Sequence, residues 1–100
     1  MNKKIVLVCK SVWYYSMFDE ELFFLWIKKI QSIVSYEGKK DELFLYCSDK
    51  IIDDGDLREL LALFYRYKID MKQLIIFLND DNRHWFCENK KSYWYKRVFN

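Results

Sequence analysis

Between Asp56 and Lys68 the chain places Leu57, Leu60, Leu61, Phe64 and Tyr67 at i, i+3, i+4, i+7 and i+10, with no glycine or proline among them. That spacing fits the period of an α-helix, so a helix over 56–68 is the element the rest of the fold must accommodate. Ala62, Leu63 and Tyr65 lie off the stripe, which makes the helix apolar nearly all round. Such a helix is buried on more than one side or offers its extra face to a partner. Asp54 or Asp56 is placed to cap its start, and Ile69-Asp70 ends it. Asp70 then caps a second predicted helix over 70–79, with Met71, Leu74, Ile75 and Leu78 at helical spacing, so the two form a packed corner.

Upstream, Ile5–Val8 is a run of β-branched residues and leucine that predicts a strand over 4–9, running on toward residue 14. A helix over 19–30 is signed at both ends: Ser16 or Asp19 as cap, Asp19, Glu20 and Glu21 at the positive end of the dipole, Lys28 and Lys29 at the negative end. Its predicted apolar stripe is Leu22, Phe23, Trp26, Ile27 and Ile30, widened by Phe24 and Leu25. Ile33–Tyr36 and Leu43–Cys47 flank a short polar segment containing Gly38 and predict a β-hairpin with a three- to five-residue loop. Both faces of the second arm are apolar, which predicts a central strand or one covered twice. The tail after Asn79 carries a short helix around Trp85-Phe86-Cys87, and a strand or a last helix around Tyr93-Trp94-Tyr95.

The order β-α-β-β-α-α predicts an α+β fold, a small antiparallel sheet of about three strands with three or four helices over one face. At 100 residues, 52% of them hydrophobic and none of them proline, the chain is read as a single domain, 1–100, with one core. Disordered, collagenous and linker-type chains are excluded by the same numbers. The apolar run after Met1 stops at Lys10, shorter than a secretory core segment, and no other apolar stretch approaches the roughly twenty residues of a membrane span. Cys9, Cys47 and Cys87 stand in no zinc-ligand spacing and read as reduced thiols, so the expected location is the cytoplasm.

The net charge of +2 hides an uneven distribution. Residues 1–36 carry five basic and three acidic groups, residues 37–59 four and eight, residues 60–100 eight and four. The acidic middle holds Asp49, Asp53, Asp54, Asp56 and Glu59, whose order does not match a calcium loop, so no metal site is expected. A local excess of carboxylates does suit a contact surface that steers a basic partner. These five are the candidate partner-binding residues, and reversing Asp53, Asp54 and Asp56 to lysine is expected to weaken binding with the fold intact. The tail interleaves aromatic and basic groups, and Trp94, Lys96 and Arg97 would serve an alternative function, a small RNA-binding module that stacks bases and holds phosphates. His84 and Cys87 are the only local thiol–imidazole pair, with no orienting third group. Phosphate loops, GxSxG and HExxH are absent, and neither an enzyme nor a cofactor is expected.

The segment from Asp56 to Leu74, DLRELLALFYRYKIDMKQL, resembles the CdiI-type immunity proteins encoded beside bacterial contact-dependent growth-inhibition toxins. The likeness runs on through Phe77-Leu78-Asn79, Asn82, Trp85-Phe86 and Tyr93-Trp94-Tyr95-Lys96. It implies a non-catalytic toxin inhibitor that forms a one-to-one toxin–immunity complex with the C-terminal domain of its cognate toxin in the cytoplasm. That toxin would be a nuclease, with tRNA among the substrates, blocked at its active site or in its access to substrate. Such a protein needs no membrane, no direct contact with nucleic acid and no cofactor.

Overall fold

A computed structural model describes residues 5–100. The protein is α+β, built on a three-stranded antiparallel sheet in which β1 (Ile5–Lys10) and β2 (Ile33–Lys39) flank β3 (Glu42–Cys47). The predicted first position of the first strand, Lys4, lies outside the described residues. β3 is central, as its doubly apolar sequence requires, with Leu45 and Cys47 fully buried on the core face and Phe44 and Tyr46 half-buried on the other. The hairpin is tighter than expected. Lys39 pairs with Glu42, and the turn is Lys40-Asp41 alone, with Lys40 at φ 56°. Two-residue hairpin turns demand a positive φ, and here a lysine takes it where glycine or asparagine would be usual.

Among the described residues, four α-helices and one 3-10 helix accompany the sheet: α1 (Met17–Lys29), α2 (Asp54–Arg66), the 3-10 helix (Met71–Phe77), α3 (Arg83–Phe86) and α4 (Tyr95–Phe99). α1 begins two residues earlier than predicted because Ser16 caps it, its Oγ accepting from Asp19 N. α2 is capped by Asp53, whose carboxylate accepts from Asp56 N at 2.7 Å, so it too starts ahead of the predicted residue. Leu57, Leu60, Leu61, Leu63 and Phe64 are all inaccessible to solvent, and the helix is buried on more than one side. Its end is a full Schellman turn. Ile69 N donates to Phe64 O and Lys68 N to Tyr65 O, with Lys68 at φ 56° in the position that glycine commonly fills.

The predicted helix 70–79 is instead a 3-10 helix of seven residues. Its buried residues, Met71, Leu74 and Phe77, repeat every third position, the period at which a 3-10 helix brings side chains into line. Asp70 caps it as expected, accepting from Lys72 N. Gln73 in its first turn also accepts from Val8 N at 2.7 Å and donates to Val8 O at 2.8 Å, closing the open edge of β1 as a neighbouring strand would. One core joins the sheet face (Leu7, Cys9, Leu45, Cys47), α1 (Phe23, Ile27), α2 and the C-terminal elements (Phe86, Trp94, Val98).

Candidate protein-interaction surface

The five acidic candidates lie in the loop before α2 and on its first two turns, and the structure gives four of them local duties. Asp53 is the N-cap. Asp56 accepts from both the backbone N and the Oγ of Ser32, tying the start of α2 to the turn before β2. Glu59 accepts from the indole Nε1 of Trp26 at 2.9 Å, joining α2 to α1. Asp49 accepts from Ile51 N within its own loop. Only Asp54, exposed in the first turn, has no hydrogen bond to another residue described. The expectation that reversing Asp53, Asp54 and Asp56 leaves the fold intact is therefore corrected: two of the three hold α2 in place.

The tail is corrected in one place. Trp94 is buried, its Nε1 donating to Phe86 O at 2.8 Å, and its ring packs edge-on against Trp85 and Tyr93. A buried indole has no face to stack on a base. Lys96 and Arg97 do stand exposed, but the Arg97 guanidinium lies 4.3 Å from the ring centre of Tyr65. His84 is exposed on α3 and Cys87 half-buried just beyond it, with no hydrogen bond between them. Cys9 and Cys47 are sealed in the core, where burial first, and then the neighbouring Cys47 and Asp56 respectively, push their thiols up to about 12 and about 11. Among the described residues no three His, Cys, Asp or Glu side chains stand close enough to hold a metal ion, and no helix is long and apolar enough to cross a membrane.

What sequence reasoning missed is the surface where the segment 11–19 meets the end of α2. A groove of about 510 Å3 runs between Trp13, Tyr15 and Asp19 on one side and Arg66, Tyr67 and Lys68 on the other. Trp13 is 73% exposed and Tyr15 84%, far beyond what a large aromatic usually shows, while Tyr14 between them turns inward against Phe23 and Tyr67. The floor is rigid. Tyr67 donates its hydroxyl to Asp19 Oδ1 at 2.7 Å and Tyr15 N donates to the other carboxylate oxygen. The Tyr15 and Tyr67 bonds hold the Asp19 carboxyl below its ordinary range, while burial and the same bond push Tyr67 up to about 12. Two of the three non-glycine residues with positive φ, Ser11 and Lys68, line this groove. Beyond Arg66 the surface continues into a second groove between Trp26, Ala62, Tyr65, Tyr93 and Arg97.

With its acid engaged by two hydrogen bonds, the groove presents open aromatic faces beside two cations, Arg66 and Lys68. Aromatic and arginine anchors of this kind dominate binding energy at protein interfaces. The signal in the sequence was the alternation Trp13-Tyr14-Tyr15, which reads equally well as a strand. The chain matches no family model, no curated protein and no solved structure.

Proposed function

We propose that this chain is a non-catalytic immunity protein that forms a one-to-one complex in the cytoplasm with the C-terminal domain of a contact-dependent growth-inhibition toxin, a nuclease with tRNA among its candidate substrates, and blocks its active site or its access to substrate. The observation that carries the binding role is the open aromatic groove: a monomer gains nothing in its own stability from holding Trp13 and Tyr15 in water beside Arg66 and Lys68. The resemblance of residues 56–74 supplies the toxin as the partner. Trp13 and Tyr15 act as anchors, and Arg66 and Lys68 fix the register. Asp54 stands at the opposite end of α2, roughly 18 Å away along a helix of this length, with Asp49 in the loop that leads into it. They form a secondary, rim-like contact, in place of the acidic patch as a whole.

Co-expression with the product of the adjacent upstream gene tests this. A stoichiometric complex is expected, with the toxin's cleavage of tRNA suppressed. Trp13→Ala with Tyr15→Ala is expected to weaken the complex at least a hundredfold, since hot-spot aromatics each contribute about 2 kcal/mol or more. Asp54→Lys is expected to change affinity only a few-fold. Absence of a complex at micromolar concentration refutes the proposal, and full affinity in the double aromatic variant moves the interface elsewhere.

A further inference from the structure

The solvent side of α1 carries an apolar ridge that no described residue covers. The helix buries Phe23 and Ile27, and Ile30 at its cap, and turns Trp26 to Glu59 and Phe24 to Tyr36. On the opposite side Phe18, Leu22 and Leu25 are 71%, 59% and 49% exposed, and with Lys29 they stand at i, i+4, i+7 and i+11, one continuous ridge. Beside the ridge runs a flank of Met17, Glu21 and Lys28, also exposed. A groove lies on each side. One is about 560 Å3, between Leu22, Leu25, Trp26 and Lys29 of α1 and Glu59 and Arg66 of α2; the other, about 460 Å3, is lined by Met17, Glu21, Phe24 and Lys28. Of the expected helix stripe, Leu22 is thus the member that does not reach the core.

We infer that this face is the interface of a symmetric dimer, in which α1 packs antiparallel against α1 of a second copy. Charge selects both the occupant and the direction. The acids Glu20 and Glu21 stand at one end of the helix and Lys28 and Lys29 at the other, and the one ion pair among the described residues, Arg83–Asp80, involves none of them. A two-fold axis between Leu22 and Leu25 sets Leu22 of one copy against Leu25 of the other and Phe18 against the aliphatic stem of Lys29. The flank then meets its own copy reversed, bringing Glu21 and Lys28 to within about 3 Å of level along the helix on both sides of the axis, a step their long side chains span. A parallel pair would carry the two flanks to opposite faces of the dimer and bring no Glu21 to a Lys28. The ridge entering the partner's groove is the usual helix-on-helix packing. Four apolar side chains and their charged flanks offer on the order of 1,000 Å2 in total, the lower edge for a specific interface, so the dimer is expected to be weak and concentration-dependent. The ridge residues Phe18, Leu22 and Leu25 do not line the Trp13–Lys68 groove, but the groove beside them shares Asp19, Arg66 and Tyr67 with it, so dimer and toxin complex adjoin on this side of the molecule.

Sedimentation velocity across a wide concentration series tests this on the whole chain. The wild type is expected to pass from monomer to dimer, and Leu22→Glu, at an exposed position that leaves the monomer folded by circular dichroism, to remain monomeric throughout. Glu21→Lys and Lys28→Glu are each expected to weaken the dimer about tenfold. Mixing the two is expected to restore it as a heterodimer, because every flank contact again joins opposite charges. A wild type that stays monomeric, a dimer that survives Leu22→Glu, or charge variants that fail to complement each other overturns the proposal. So does a monomeric wild type whose toxin complex is lost in Leu22→Glu, which gives the face to the toxin instead.

Discussion

Asp53, Asp54 and Asp56 sit within four residues of one another, and the structure ranks them sharply. Replacing Asp56 with alanine removes the acceptor for two donors at once, Ser32 N at 2.8 Å and Ser32 Oγ. Hydrogen bonds to a charged group contribute about 1.5–3 kcal/mol, and a half-buried backbone N–H left without a partner adds to the loss, so about 3 kcal/mol is expected for the pair. For a domain of this size that lowers the melting temperature by roughly 12–24 °C. Asp53→Ala removes the N-cap bond to Asp56 N, a loss of about 1 kcal/mol, or roughly 5 °C. Asp54→Ala removes only a favourable charge near the helix N-terminus, at most about 0.5 kcal/mol. Thermal unfolding followed by circular dichroism reads all three. Ser32→Ala serves as the control: it deletes the hydroxyl bond and keeps the backbone one, and its combination with Asp56→Ala should lose less than the two single effects together. Equal losses in the three aspartate variants, or a larger one at Asp54 than at Asp56, would refute the assignment of these carboxylates to the fold.

Gln73→Ala deletes both bonds to Val8 and bares the edge of β1; a loss of about 2 kcal/mol is expected, with the Val8 amide becoming the fastest-exchanging in its strand by hydrogen exchange. Lys68→Gly, at φ 56° in the Schellman turn, is expected to raise stability by about 0.5–1 kcal/mol in denaturant titration, since the strain of a left-handed lysine exceeds the chain entropy glycine adds. Native protein should react with a thiol reagent at Cys87 alone, and at all three cysteines once unfolded, because Cys9 and Cys47 are buried and ionise only at about 12 and 11. Alkaline stability follows from the same groups. Tyr14 and Tyr67 are raised to about 12 in the folded chain, so the stabilisation they provide is complete below pH 10 and is lost as pH rises toward 12, with Cys9 and Cys47 adding to the loss from about pH 9. Unfolding that coincides with tyrosinate absorbance is the expected outcome, and stability unchanged between pH 9 and 12 would contradict it.

Much of this was legible one turn at a time. The stripe from Leu57 to Phe64 became the buried side of α2, Ser16 and Asp70 cap the segments they precede, and the doubly apolar β3 lies at the centre of the sheet. These are relations among residues a few positions apart, where backbone geometry alone sets who meets whom. The acidic loop was less legible for the converse reason: its charge was visible, but Ser32 and Trp26, which take up two of its carboxylates, lie 24 and 33 residues away. Charge density by itself does not distinguish a carboxylate offered to a partner from one already spoken for.

The α+β class, the strand at each predicted place and the helix at the heart of the second half were determined by the order and spacing of residues, because propensity, capping and hydrophobic period act locally. Which apolar residues stay outside was decided only in three dimensions. In sequence Leu22 and Phe23 are equivalent, as are Phe77 and Ile76, or Trp94 and Trp13; in the structure the first pair splits across the two sides of α1, the second across a three-residue period, and the third between a buried indole bonded to Phe86 and an open one at the rim of a groove. Burial is granted by the area that neighbouring elements happen to cover, and those neighbours come from far along the chain, as Gln73 on Val8 and Tyr67 on Asp19 do.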